Sequence, residues 1–115
     1  MADGALFIGW NRPVSGREKQ AWELFGKSLE YYTQLQNDGK IESFEPVSIN
    51  SHGGDLNGFI LLRGDDAKLD DIRREDTFIS YAIEGNYCLQ NFGIIKCAVG
   101  ETMMNQYSQW EKLFS

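Results

Sequence analysis

The spacing of apolar positions changes several times along the chain, and each change marks an element. Residues 5–10, ALFIGW, form a short apolar run between Gly4 and the polar segment NRPVSG, the pattern of a buried strand followed by a loop. The period then lengthens. The stretch SGRE, from Ser15 to Glu18, has a capping-box pattern, in which the serine and the glutamate three positions on each satisfy a free backbone amide. Beyond it Trp22, Phe25, Leu29 and Tyr32 recur at spacings of three and four, which predicts one face of a helix running to about residue 37. Gly39 in NDGK suits the left-handed residue that ends a helix.

Residues 41–50, IESFEPVSIN, alternate loosely, and Pro46 lacks the amide a central strand needs, so this segment is expected at a sheet edge. The denser apolar run at 56–64, LNGFILLRG, follows across SHGGD, and the pair reads as a hairpin. Residues 65–86 are helical by Leu69, Ile72, Ile79 and Ile83, with a break and restart expected where Asp76 interrupts the stripe and can cap a new helix. A further strand is predicted at 91–100, NFGIIKCAVG. The final helix, ETMMNQYSQWEKLF, places Met103, Tyr107, Trp110 and Phe114 on one face.

The resulting order is βαββαβ with an added C-terminal helix, and residues 1–115 read as a single domain without linker, repeat or low-complexity segment. That order predicts an α+β ferredoxin-like plait, a four-stranded antiparallel sheet with its crossover helices on one face. A sheet wetted on its other face should alternate apolar and polar residues. Here Ala5, Phe7 and Gly9 oppose Leu6, Ile8 and Trp10, while Phe59 and Leu61 oppose Ile60 and Leu62, and Phe92 and Ile94 oppose Ile95, Cys97 and Val99. Both faces are apolar, so the second needs a cover. The cover is either the C-terminal helix folded across it in the same chain or a second copy, and a homodimer is the expectation: two sheets packed face to face as a dimeric α+β barrel with the terminal helices gripping the neighbour.

Charge and composition narrow the partners. A net charge of −6 repels phosphate backbones and anionic lipid, so neither nucleic acid nor a membrane surface is expected to bind. The sequence shows no signal-peptide pattern and no apolar run of spanning length, and the protein is read as cytoplasmic. Cys88 and Cys97 are read as buried free thiols. With one histidine in the chain they fall short of a zinc site, so no metal and no cofactor is expected. That histidine, His52, lies beside two glycines at the predicted hairpin tip and reads as a turn residue.

The chain resembles the dimeric α+β barrel superfamily, and within it a group of small uncharacterised bacterial proteins with stretches similar to HGGDLNGFILLRGD and FGIIKCAVGE. The superfamily includes cofactor-free monooxygenases, haem-degrading enzymes, chlorite-dismutase-like proteins, muconolactone isomerases and stress-responsive barrel domains. The resemblance therefore implies a fold and a cavity but no single reaction. Haem members use a placed histidine, which a hairpin-tip His52 does not supply. Of the asparagine, tryptophan and histidine set of the haem-degrading members, this chain offers Trp10 and Asn11.

The same topology serves the RNA-recognition motif and acylphosphatase. NGFILLRG lacks the aromatic platform of the first, and NRPVSGRE lacks the glycine-rich phosphate loop of the second. What remains is a small homodimeric barrel with a cavity for a small apolar or aromatic molecule, whose candidate lining residues are Trp10, Asn11, Arg63 and Tyr81. The alternatives are a cofactor-free monooxygenase or isomerase-like enzyme, and a non-enzymatic interaction or regulatory module.

Overall fold

A computed structural model describes residues 2–114. Strand β1 (Gly4–Trp10) leads into helix α1 (Glu18–Asn37), strands β2 (Ser43–Ser48) and β3 (Gly58–Gly64), helices α2 (Asp66–Ile72) and α3 (Asp76–Cys88), strand β4 (Gly93–Ala98) and helix α4 (Gly100–Glu111). The four strands form one antiparallel sheet in the order β2-β3-β1-β4, with Leu6 opposite Leu62 and Lys96, and Ile8 opposite Ile60 and Ile94. This is the ferredoxin-like plait. Pro46 lies on edge strand β2, where its missing amide costs no central ladder bond.

One sheet face carries the core. Leu6, Ile8, Ile60 and Leu62 pack with Tyr32 and Leu35 of α1, Leu69 and Ile72 of α2, and Phe78 of α3, all almost fully buried. Burying each of the large aliphatic side chains contributes about 1.5–3 kcal/mol, which makes this layer the main adhesive between sheet and helices. A second cluster, Ala21, Leu24 and Cys88, joins α1 to the end of α3. Burial raises the Cys88 thiol pKa and so keeps it protonated. Cys97 departs from expectation, since it lies on the opposite sheet face and is only partly covered.

Several local expectations are corrected. Ser15 is not the cap of α1. A turn closes from Arg17 N–H to the Val14 carbonyl, Gly16 adopts φ +88°, and Arg17 occupies the cap position without a side-chain cap bond. The buried stripe of α1 is Ala21, Leu24, Ser28, Tyr32 and Leu35, so the predicted period holds but its phase is shifted: Trp22 is 77% exposed. The far end is as expected. Gly39 adopts φ +74°, and Lys40 N–H closes back on the Leu35 carbonyl in a Schellman-type ending.

The 65–86 segment does break before Asp76, but the cap of α3 is Glu75, whose carboxylate turns to Tyr31 and Lys40 instead of the helix end. Ile79 and Ile83 stay exposed, while Phe78, Gly85 and Cys88 form the buried face of α3. The acidic pairs have structural partners. Asp65 accepts from the Lys68 amide as the cap of α2, and Asp66 and Asp70 both hold Lys96 on β4, at 3.3 and 3.2 Å.

The other sheet face is open. Phe7 and Phe59 stack there with ring centroids 4.8 Å apart, beside Leu61 and Ile95, and Ile95 is 57% exposed. Helix α4 does not cover it. None of its residues is buried, and Met103, Tyr107 and Trp110 are exposed along the stripe the sequence predicted, as is Phe114 just beyond the helix.

Candidate functional site

Between the core face of the sheet and helices α1 and α3 lies a cavity of about 620 Å³. It forms at the C-terminal end of β1, where the helix layer parts from the strands. Trp10, the last residue of β1, contributes an indole that lies across Gly58 on β3. A Cβ at Gly58 would stand 3.0 Å from the indole ring and 2.9 Å from the Val47 carbonyl, so the missing side chain is what admits Trp10. The indole meets the Phe25 ring edge-on at 6.0 Å. Phe25 and Trp22 flank the opening from α1, which explains why two large apolar residues of that helix are not in the core. Phe78, Phe92 and Leu89 complete the apolar wall.

Few polar groups reach this space. Ser28 and Tyr32, one turn apart on α1, are 6% and 4% exposed and both line the cavity. Burial pushes the Tyr32 phenol well above its ordinary pKa against the smaller opposing effect of Ser28, so it stays neutral. Tyr81 reaches the cavity from α3, held edge-on by Tyr31 at 5.6 Å and capped by the Lys27 ammonium 5.1 Å from its ring centre. Lys27 is itself fixed by Glu84 at 2.8 Å, a bond that raises the lysine pKa and keeps its charge. Glu18, Ser48 and Asn57 line the cavity from exposed positions on α1, β2 and the loop before β3.

Of the four residues predicted to line a cavity, the structure brings Trp10 and Tyr81 together on it. Asn11 follows Trp10 but serves the backbone, its N–H donating to the Gln90 carbonyl at 2.9 Å, and it is not among the lining residues. Arg63 is paired with Ala5 and Ser43, which places it on the open face, across the sheet from the cavity. The alternation of the strand decides this: Arg63 is one residue past Leu62, whose side chain is in the core. Ser28, Phe78 and Phe92 were missed. A serine on the buried stripe of α1 was the one readable signal, since a buried polar residue needs a partner.

His52 is exposed in the loop between β2 and β3, its Nε2 3.0 Å from the Leu56 carbonyl and its ring lying over Gly54. It does not line the large cavity. Among the described residues there is no group of three or more His, Cys, Asp or Glu side chains arranged to hold a metal ion, and no helix is long and apolar enough to cross a membrane.

No protein-family model matches the sequence, and no curated protein matches it. Among solved structures the chain is similar to a hydroxynitrile lyase from Passiflora edulis, with a TM-score of 0.64 and 14% identity over 89% of this chain and 98% of that one. It is similar also to a dimeric protein of unknown function and ferredoxin-like fold from Bacteroides fragilis, with a TM-score of 0.59 and 8% identity over 84% of this chain and 96% of that one. A protein of the ethyl tert-butyl ether D (EthD) family from Bacillus halodurans gives a TM-score of 0.58 and 12% identity over 85% of this chain and 99% of that one. At these identities the likeness is one of fold, and it agrees with the architecture that the resemblance to dimeric α+β barrels implied: this chain is a ferredoxin-like α+β protein.

Proposed function

We propose that this chain forms a homodimer through the open face of its sheet and that each protomer binds one small apolar or aromatic molecule in the cavity beneath α1 and α3. The cavity carries the binding reading. Its volume of about 620 Å³ falls within the ~300–1,000 Å³ range of small-molecule sites, and its walls are largely apolar, with several aromatic rings and a few hydroxyl side chains among them. The dimer rests on the stacked Phe7 and Phe59, with Leu61 and exposed Ile95, a continuous apolar surface that α4 of the same chain leaves bare. Helix α4 is the arm that grips the second copy, its stripe of Met103, Tyr107 and Trp110 buried only in the pair. The Bacteroides protein of the same fold is itself dimeric, which supports this reading.

The working compartment is the cytoplasm, where the two unpaired cysteines stay reduced. A reaction in the cavity is the second reading, favoured by the fold likeness to a lyase and by the neutral Tyr32 phenol facing an apolar space. Binding is the claim that calorimetry tests first. Titration with naphthalene should show one saturable site per chain, and Ala82→Phe, which places a ring in the cavity wall, should weaken it by about tenfold or more. Unsaturable uptake, or equal affinity in the filled variant, would place the molecule elsewhere and end the cavity reading.

A further inference from the structure

We propose that the Ser28 and Tyr32 hydroxyls form the recognition end of the cavity, and that the ligand is a neutral, flat apolar molecule bearing a hydrogen-bond acceptor such as a carbonyl oxygen. The inference deepens the cavity-binding reading and rests on it. Both residues are more than nine-tenths buried, and both line the space. Among the described residues, Ser28 is the one buried member of the polar and charged types, placed on a helix stripe otherwise made of Ala21, Leu24, Tyr32 and Leu35. A serine in a helix commonly turns back to the carbonyl four residues earlier, as Thr33 does to Leu29 at 2.8 Å. Ser28 stands one turn before Tyr32 on the face of α1 that lines the cavity, beside a phenol whose pKa it acts to lower.

Two adjacent hydroxyls carry two protons, and a bond between them would use only one. The second is left for an acceptor in the cavity. An apolar ligand without such a group would leave that proton unmet in a low-dielectric space, at a cost comparable to a lost hydrogen bond. Charge on the ligand is disfavoured for a separate reason. Among the described residues, no Lys, Arg, His or Asp lines the cavity, and Glu18, the one carboxylate that does, is exposed, so a buried ion would lack a counter-charge. The facing aromatics, Trp10, Phe25, Phe78 and Phe92, favour a flat body that can stack or meet them edge-on.

A matched pair of probes isolates the acceptor. 2-Acetylnaphthalene and 2-isopropenylnaphthalene share one shape, with an oxygen in the first where the second has a CH₂ group. Calorimetric titration of both compounds against the wild-type chain, Tyr32→Phe and Ser28→Ala, each checked by circular dichroism, reads the contribution of the hydroxyls. Tyr32→Phe should weaken the ketone about tenfold and leave the alkene within about twofold, because only one compound loses a hydrogen bond. Ser28→Ala, which keeps the phenol, should weaken the ketone by about threefold, and it tests the pair independently if Tyr32→Phe folds poorly. Unchanged ketone affinity in the variants, or equal losses for both compounds, would overturn the recognition role while leaving the cavity reading standing. Failure of both compounds to bind the wild type would overturn the recognition role and the cavity reading together.

Discussion

Tyr31 and Tyr32 are neighbours on α1 with divergent surroundings. The Tyr31 hydroxyl donates to Glu75 Oε1 at 2.7 Å, outside the cavity lining, while Tyr32 turns into the cavity wall beside Ser28. Burial raises both phenols, and for Tyr31 the carboxylate acceptor adds to it. Glu75 feels the reverse balance. Burial alone would raise its pKa, but the Tyr31 hydroxyl and the Lys40 ammonium at 3.1 Å outweigh that and hold it below its ordinary value of 4.5. A carboxyl depressed in the folded state contributes stability that is present above its unfolded pKa and is lost as pH falls through the folded one. The thermal midpoint should therefore drop on acidification below pH 4.5, and Glu75→Gln should show a smaller drop over the same interval. Parallel curves from circular dichroism melts would mean that the Tyr31–Glu75–Lys40 contact does not stabilise the fold. None of this was readable in the sequence, because Tyr31 and Glu75 are 44 positions apart and meet only when α1 packs over the start of α3.

At the scale of elements, the sequence conveyed period better than phase. The spacing of three and four in α1 was correct, yet Trp22 and Phe25 flank an opening while Ala21, Leu24 and Ser28 face inward. Hydrophobicity alone does not separate a residue that fills a core from one that lines a cavity. The same holds for α3, where Ile79 and Ile83 are exposed and small Gly85 is buried because the Phe92 ring occupies the place of its side chain. Strands were more legible, since a two-residue period leaves only two phases to choose between. Helix α4 raises a different case: it forms where the spacing predicted a helix, but none of its residues is buried against the described residues of its own chain. Trp110 is 69% exposed, so replacing it removes little from the protomer's own packing. Trp110→Ala should leave the protomer folded but raise the dimer dissociation constant by about thirtyfold or more, the loss expected of a buried aromatic anchor. Sedimentation equilibrium reads this directly, and an unchanged constant would show that α4 takes no part in the pairing.

For the whole molecule, topology followed from element order, and the apolar character of both sheet faces pointed to a second copy. The site was less legible. Trp10 stood out as an aromatic at a strand end and Tyr81 as a helix residue near the rim, and both line the cavity. Arg63 stood out for its charge, but strand alternation sends it to the opposite face. Its cross-strand partners there are Ala5 and Ser43, on the face proposed for pairing.

The account thus assigns two apolar surfaces to two tasks, the cavity under the helices to a small molecule and the open sheet face to another copy of the chain. Nuclear magnetic resonance of isotope-labelled protein titrated with 2-acetylnaphthalene separates them in one measurement. Saturable shifts at Trp10, Ser28, Tyr32 and Tyr81, with Phe7, Leu61 and Ile95 unmoved, are the predicted result. Shifts centred on Phe7, Leu61 and Ile95, with the cavity residues silent, would contradict it.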